Sequence, residues 1–302
     1  MTTKRTIAIV CGGDSSEHEV SLRSAQGLYS FFDHNRYNIY IVWMRGLDWH
    51  AKLPDGSTSP IDRNDFSFTV DGRKVTIDYA YITIHGTPGE NGILQGYFDL
   101  LRIPYSTCNV LVEALTFDKF ALVRYIRAFG VHTAESVLVR RDDDHRVSPA
   151  EIEQRLGMPC FVKPVANGSS FGVSKVKSAD QLEQALAKAF EQGDDVMIES
   201  YLDGTEVTVG CYKTREKTVV FPVTEVVTDN EFFDSTPSTT ARCRKSHRHA
   251  SAMSSPPSCR HSRRASTASC TATASSASTI SSHAMTTAPT ASTYWRSTPR
   301  RA

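Results

Sequence analysis

The sequence predicts two folded domains of different class, followed by a segment that has no core. We expect an α/β domain with an open parallel sheet over residues 1–104, an α+β domain over residues 105–234, and disorder over residues 235–302. Alternating strands and helices indicate the first domain, and short strands with hairpin spacing indicate the second. A change of composition at Asp234 marks the third segment.

The charge is divided unevenly along the chain. Residues 1–234 hold all 33 Asp and Glu with 24 Lys and Arg, whereas residues 235–302 hold ten Lys and Arg and no acid. The second segment also contains no Gly, Val, Leu or Phe, so it lacks the apolar residues that offset chain entropy. The acidic part argues against nucleic acid as the main partner. The basic part taken alone argues the reverse, so a non-catalytic protein with a nucleic-acid-binding tail is an alternative.

The sequence also predicts a cytoplasmic protein with no membrane partner. The apolar run Thr6–Val10 is too short for a signal peptide, and no stretch approaches the roughly 18 apolar residues of a membrane span. Four cysteines of the acidic part, Cys11, Cys108, Cys160 and Cys211, are widely spaced beside apolar runs. They are expected to be buried free thiols in a reducing compartment.

Periodicity assigns the elements of both domains. In the first domain, strands are predicted at Thr6–Val10, Ile39–Trp43 and Tyr79–Ile84, and helices at Val20–Phe32 and Gly92–Leu101. In the second domain, a helix is predicted at Phe117–Phe129, and Ser178 with Gln181 forms the capping box of another helix. Strands of the second domain are predicted at Ser136–Arg140, Cys160–Lys163, Val173–Val176, Val196–Glu199, Glu206–Tyr212 and Lys217–Val227.

Two polar loops follow strands of the first domain and are predicted to share one sheet edge. One runs from Gly12 through Glu17 into a helix, and the other starts at His85. Open α/β sheets bind ligands at the carboxyl ends of their strands. Glu17 is placed to meet a cationic group such as a substrate amine. His85 is either part of that site or a satisfied polar residue.

The second domain carries a Gly- and Ser-rich loop between two strands, residues 167–174. Its backbone N–H groups can form an anion-binding nest, and Ser169 and Ser170 add hydroxyl donors, although a plain hairpin turn has the same composition. Lys163 at the preceding strand end is placed to neutralise phosphate. Lys119 lies in the first turn of a helix, where it opposes the helix dipole, so it is either a phosphate ligand or a solvated lysine.

A strand ending at Glu199 is followed by Tyr201 and Leu202. This pattern is typical of an adenine pocket, but an ordinary strand end has the same pattern. Glu206 begins a later strand, and it is placed either to meet a ribose hydroxyl or a metal or to face solvent.

Together these motifs resemble the D-alanine–D-alanine ligases, in the same order and at the same distances over residues 6–234. The resemblance implies an ATP-grasp fold, in which nucleotide lies between two α+β lobes. The matching residues are Gly12, Gly13, Ser15, Glu17, Glu19 and Ser21, then His85, Gly86, Gly89, Glu90, Gly92 and Gln95, then Lys163, Pro164, Gly168, Ser169, Ser170, Gly172 and Ser174, and finally Ile198, Glu199, Leu202, Gly204 and Glu206.

The resemblance implies an ATP-dependent ligation of two D-alanines through an acyl phosphate, for peptidoglycan precursor synthesis. Glu17 would orient the amino group of the first D-alanine, His85 would lie beside that substrate, and Ser169 would sit near the transferred phosphate. Lys119, Lys163 and Ser170 would bind ATP phosphates, Glu199, Tyr201 and Leu202 would form the adenine and ribose edge, and Glu206 would bind the ribose. The family also implies a homodimer. A D-alanine–D-lactate ligase is the related alternative.

The family pattern stops at Asp234. Its Mg²⁺ ligands are Asp, Glu and Asn, and residues 235–302 contain none of these, although Mg²⁺ prefers such oxygen ligands. Read one base earlier with allowed codons, residues 294–302 become Leu-Leu-Glu-Val-Asn-Thr-Thr-Pro-Gly, which resembles the family's metal-binding signature. Residues 236–241 become Asp-Ala-Lys-Tyr-Asn-Gly, which resembles its active-site loop. The hypothesis is a one-base deletion next to Asp234 and a chain without ligase activity.

Overall fold

The computed structural model of the chain describes residues 4–142, 148–166, 168, 170–205, 207–213 and 217–225. The expectation of disorder for residues 235–302 lies outside these ranges. In the first domain the strands are β1 (Arg5–Gly12), β2 (Tyr37–Arg45), β3 (Asp48–Lys52), β4 (Thr58–Pro60), β5 (Phe68–Val70), β6 (Arg73–Val75) and β7 (Tyr79–Ile82), and the helices are α1 (His18–Phe31) and α2 (Ile93–Leu101).

The first sheet has the order β4-β3-β2-β1-β7 and is mixed rather than wholly parallel. β1 pairs in parallel with β2 and β7, as the sequence predicts, but β3 and β4 are antiparallel additions. The prediction of a wholly parallel sheet did not include the hairpin formed by β2 and β3. Only Gly46 and Leu47 separate β2 from β3, and so short a connection joins antiparallel strands only.

The two faces of this sheet are covered by different groups of residues. On one face, α2 contributes Leu94 and Phe98 to a core that also contains Phe66. On the other face, α1 places Ala25 and Leu28 against the strands. Each helix is therefore held by the burial of one apolar stripe.

The second domain begins with two short helices where one was predicted. Those helices are α3 (Val110–Phe117) and α4 (Lys119–Arg127). The predicted helix Phe117–Phe129 covers α4, but Asp118 between them is extended, and its carboxylate accepts the N–H of Ala121 at 2.7 Å. Asp118 is thus the N-cap of a new helix, which fixes where Lys119 begins it.

The remaining elements of the second domain are β8 (Ser136–Arg140), α5 (Pro149–Leu156), β9 (Cys160–Pro164), β10 (Ser174–Val176), a 3₁₀ turn (Ala179–Gln181), α6 (Leu182–Phe190), β11 (Asp195–Ser200), β12 (Val207–Thr208), β13 (Cys211–Lys213), β14 (Thr218–Val220) and β15 (Thr224–Glu225). A four-stranded antiparallel sheet with the order β10-β9-β11-β8 forms the centre of this domain, which confirms its α+β class. Helices α5 and α6 pack on one face around Ile152 and Leu182, and α4 packs Val123 on the other face.

Two local expectations differ from the structure. Ser178 makes no capping bond, because Gln181 instead accepts the N–H of Lys177 at 3.0 Å and a 3₁₀ turn precedes α6. The capping box is found at α5, where Ser148 and Glu151 cap each other. Strands predicted at Glu206–Tyr212 and Lys217–Val227 are each interrupted, forming the two pairs β12–β15 and β13–β14.

The cysteines are free but only half of the four are buried. Cys11 and Cys160 lie in strands inside the cores, whereas Cys108 and Cys211 are exposed. The expectation of burial is therefore wrong for Cys108, in the loop after α2, and for Cys211, in a two-stranded sheet. No helix among the described residues combines the length and apolar character that crossing a bilayer requires.

Candidate active site

The loops after β1 and β7 meet at the carboxyl edge of the first sheet. β1 has β2 on one side and β7 on the other, so this edge is a topological switch point, where α/β sheets bind ligands. Ser15 ties the loops together, since its hydroxyl donates to the backbone oxygen of His85 at 2.6 Å. The N–H of Asp14 donates to the backbone oxygen of Thr87 at 2.9 Å.

Glu17 stands where the first domain meets the second. It is the half-buried N-cap residue of α1, and its N–H donates to the hydroxyl oxygen of Ser15 at 3.2 Å. A methyl group added at Gly168 would lie 2.9 Å from Oε2 of Glu17. The carboxylate predicted to bind an amine therefore lies beside the predicted phosphate loop, with no room for a side chain between them.

Glu90 belongs to the motif that starts at His85, and the motif alone gives it no role. Its carboxylate accepts the N–H of Gly86 at 2.8 Å and so closes the loop that starts at His85. Burial raises the pKa of Glu90 from 4.5 to about 7; the bond from Gly86 lowers it, and the charges of Glu17 and Glu113 add to the rise. Lys119 acts in the opposite direction on this pKa. A glutamate in a Gly-rich loop after a strand was the available signal.

Lys163 and Glu199 form a buried ion pair inside the second domain. Nζ of Lys163 lies 2.5 Å from Oε1 of Glu199, and each side chain is 10% exposed. In the β9–β11 register Lys163 faces Met197 and Glu199 faces Phe161, so the pair is diagonal on the sheet face that packs against α4.

Lys119 adds a second ammonium, which is half-buried and is affected by the charge of Lys163. Its Nζ donates to the backbone oxygen of Val165 at 3.3 Å. The pKa of Lys119 is lowered to about 8, mainly by burial and also by the charge of Lys163, while Asp118 and Glu199 act in the opposite direction. Because Glu199 already pairs with Lys163, an anionic ligand beside Lys119 would relieve the repulsion that remains between the two ammonium groups.

The remaining predicted residues lie around this centre or outside the described ranges. Ser170 adopts a φ of 57°, a left-handed conformation of the kind from which anion-binding nests are built. Tyr201 is 37% exposed, its ring lies 6.0 Å from that of Phe161, and Nζ of Lys175 lies 4.4 Å from its centroid. Leu202 is exposed beside it. Ser169 and Glu206 fall outside the described residues.

The two kinds of implied ligand fit the described residues differently. Lys119 and Lys163 fit a phosphate-bearing molecule such as ATP, because they converge and neither is a solvated surface lysine. Mg²⁺ does not fit, since the described part of the chain contains no group of three or more His, Cys, Asp or Glu placed to hold a metal ion.

Comparison with known proteins decides the family. A family model described as D-ala D-ala ligase N-terminus matches residues 6–108, and one described as D-ala D-ala ligase C-terminus matches residues 125–252. The chain is 63% identical to the D-alanine–D-alanine ligase of Phocaeicola vulgatus over 231 residues, which are 76% of this chain and 71% of that relative. The chain belongs to the D-alanine–D-alanine ligase family.

Solved structures agree with this membership. D-alanyl-alanine synthetase A from Vibrio cholerae superposes with a TM-score of 0.70 at 28% identity, over 81% of this chain and 74% of that one. The D-alanine–D-alanine ligase from Bacillus anthracis complexed with ATP superposes with a TM-score of 0.56 at 28% identity, over 74% of this chain and 66% of that one. The fold of a D-alanine–D-alanine ligase thus covers both described domains.

Proposed function

We propose that the described residues form the D-alanine site and the ATP phosphate site of a ligase that joins two D-alanines. The observation that supports this most is the approach of Glu17 to Gly168, because the proposed amine-binding carboxylate and the proposed phosphate-binding loop would have to lie this close together in such a ligase. Such a ligase makes the dipeptide used in peptidoglycan precursors, and free thiols suit a cytoplasmic location.

In the first domain, Glu17 orients the substrate. Its carboxylate pairs with the ammonium group of the first D-alanine and turns that molecule's carboxylate toward the second domain. His85 lies beside the same substrate, with its loop held by Ser15 and Glu90. Positioning of this kind removes orientational freedom before reaction, which is a large part of catalysis in a two-substrate reaction.

In the second domain, Lys119 and Lys163 bind phosphate oxygens and neutralise their charge, and Ser170 adds a donor. Glu199, Tyr201 and Leu202 border the adenine and ribose, with Lys163 held in place by Glu199. ATP supplies the phosphoryl group that activates one D-alanine carboxylate, after which the amine of the second D-alanine displaces phosphate. Ser169 near that phosphate and Glu206 at the ribose remain predictions.

We further propose that the chain as given has no ligase activity. Residues 235–302 contain no Asp, Glu or Asn, so they offer no side-chain ligands suited to Mg²⁺. The match of 231 residues to the Phocaeicola vulgatus relative is close in length to the 234 residues before the composition change. The C-terminal family model, however, matches up to residue 252 and so does not mark Asp234 as a boundary. Of the two observations, the change of composition therefore gives the stronger support for a one-base deletion at Asp234.

The test compares the chain with a version in which one base is restored next to codon 234. Phosphate release that needs both ATP and D-alanine is measured for each protein. We expect no release from the 302-residue chain, release from the restored protein, and at least a 100-fold loss in the restored protein with Lys119→Met. Lys4→Met, at an exposed lysine of the first domain, is the matched control and should leave the rate unchanged.

Two results would contradict these proposals separately. Activity of the 302-residue chain would refute the inactive state while leaving the family chemistry intact. An inactive restored protein, or equal rates for Lys119→Met and Lys4→Met, would refute the proposed phosphate site. We propose D-alanine rather than D-lactate as second substrate, because the shifted frame places Lys-Tyr in the active-site loop; replacing D-alanine by D-lactate in the assay tests this.

A homodimer is the proposed assembly, and helices α2 and α3 offer the surface for it. Exposed apolar side chains lie on both helices, with Leu100 84% and Leu111 72% exposed, and the structure buries no residue of α3. An apolar surface of this kind is typical of an interface. Light scattering after gel filtration should show a dimer that Leu111→Asp dissociates, while Leu47→Asp, at an exposed leucine of the turn between β2 and β3, does not.

A further inference from the structure

A cavity of about 550 Å³ lies outside the proposed active site, between α1 and the strands β2, β3 and β4. None of the residues assigned to D-alanine or ATP lines it. Its inner wall is apolar, formed by Leu22 of α1 and by Cys11 and Ile41 of the sheet. Volumes between roughly 300 and 1,000 Å³ are typical of sites for small molecules.

The polar lining of this cavity is cationic. Arg23 comes from α1 and Lys52 from β3, so the cavity has an exposed positive charge on two different elements, and His50 lies on the same strand as Lys52. None of the described lining residues is acidic. His50 has a carboxylate beside it, since its Nδ1 lies 3.2 Å from Oδ1 of Asp48. Arg23 and Lys52 therefore face a space in which an anion gains from both.

Trp43 forms a rigid aromatic wall of the cavity. Its indole N–H donates to Nε2 of His18 at 3.3 Å, and because indole is only a donor, this bond assigns the acceptor role to Nε2. Nδ1 of His18 then carries the proton and donates to the backbone oxygen of Gly13 at 2.9 Å. The Trp43 ring also stacks on His50 with an interplanar angle of 27°. Because His18 and His50 already fix the Trp43 side chain, it loses little conformational entropy when a ligand binds.

We propose that this cavity is a binding site for an aromatic organic anion. The ring of the ligand packs against Trp43 and the apolar wall, and its carboxylate or phosphate group meets Arg23 and Lys52, with Thr58 and Gln26 as further hydrogen-bonding groups. A simple inorganic anion leaves the apolar wall uncovered, and a neutral ring leaves the cations without a partner. Only a ligand with both parts uses the whole lining.

The experiment titrates the full chain with 2-naphthoate and measures binding by calorimetry. Its neutral analogue 2-naphthamide tests the role of charge, and inorganic phosphate tests the role of the ring. We expect saturable binding of 2-naphthoate at one site, with at least tenfold weaker binding of each of the other two molecules. Arg23→Gln and Lys52→Gln should each weaken 2-naphthoate binding about tenfold, because each removes one charge-assisted bond.

Two further variants separate this site from the ATP site and from general charge effects. Tyr201→Ala alters the proposed adenine edge and should leave 2-naphthoate binding unchanged, and so should Arg73→Gln, at an exposed arginine of β6. Equal binding of 2-naphthoate and 2-naphthamide would overturn the proposal. So would no saturable binding, unchanged affinity in Arg23→Gln and Lys52→Gln, or loss of binding in Tyr201→Ala.

Discussion

Lys163 and Glu199 lie diagonally across two antiparallel strands, with Nζ and Oε1 2.5 Å apart and both side chains nearly buried. The strands hold both groups on the sheet face that carries Lys119 through its bond to Val165. A buried pair of this kind costs desolvation energy, so its removal has different effects depending on whether one partner or both are replaced.

The first prediction concerns this pair. Lys163→Met should lower the free energy of unfolding by about 3–5 kcal/mol because it leaves the Glu199 carboxylate buried without its partner. The double variant Lys163→Met with Glu199→Met should lose much less. Urea unfolding followed by tryptophan fluorescence measures both. Lys74→Met breaks the exposed pair with Asp65 and should cost far less than Lys163→Met, because water screens exposed charges, which makes it the matched control.

The second prediction concerns pH and Glu90. Its pKa is about 7 in the folded protein and 4.5 ordinarily, so the folded state holds a proton that the unfolded state has released between these values. Stability from this group is therefore present below pH 4.5 and is lost as the pH rises through 7. Between pH 5.5 and 8 the loss should be about 2 kcal/mol.

Glu90→Gln tests this linkage because an amide keeps an acceptor for the N–H of Gly86 and does not titrate. The variant should lose less stability than the original protein between pH 5.5 and 8, as measured by urea unfolding at both values. Lys119, with its pKa lowered to about 8, acts mainly above this window. Parallel pH dependences of the two proteins would show that Glu90 titrates normally.

The third prediction concerns the bridge between the two loops of the first domain. Ser15→Ala removes the bond to the backbone oxygen of His85 and the acceptor for the N–H of Glu17. It should lower the free energy of unfolding by about 1–3 kcal/mol, since both partners are partly buried. Ser30→Ala removes only an exposed hydrogen bond within α1. It should change the free energy of unfolding by less than about 0.5 kcal/mol, as surface substitutions usually do.

The fourth prediction concerns thiol reactivity. Burial raises the pKa of Cys11 to about 12 and of Cys160 to about 11, so neither forms the reactive thiolate near neutral pH. Iodoacetamide labelling at pH 8 followed by peptide mass analysis should leave these two unmodified until urea is added. Cys108 is an exposed residue, so reagent can reach it. Partial desolvation of its thiol and the charge of Glu113 nevertheless raise its pKa, so it should react slowly. Rapid labelling of Cys160 in the native protein would contradict the described core.

The spacing of apolar residues predicted those strands and helices whose burial follows a regular alternation along the chain. The strand predicted at Ser136–Arg140 has those bounds in the structure, where Val137 and Val139 alternate with the less buried Leu138 and Arg140. The helix predicted at Phe117–Phe129 covers α4 but starts too early, because Asp118 is extended and caps α4. Helix α3, which ends at Phe117, was missed.

The candidate site was less predictable because its contacts join distant parts of the chain. Lys163 and Glu199 were each assigned to ATP, yet their mutual pairing depends on the register of β9 against β11, which no local pattern reveals. The charged surroundings of Glu90 likewise come from Glu17, Glu113 and Lys119, which lie on separate elements. Sequence motifs predicted which residues belong to the candidate site. They did not predict which charged side chains surround each of those residues.

Gly168 leaves no room for a side chain beside Glu17. A Cβ at this position would lie 2.9 Å from Oε2 and 3.7 Å from Cδ of Glu17, so the carboxylate would have to move. At Gly27 of α1, by contrast, an added Cβ would meet nothing within 4 Å. Replacing Gly168 by alanine would therefore displace a side chain that is about 150 positions away in the sequence, whereas the same change at Gly27 would displace none.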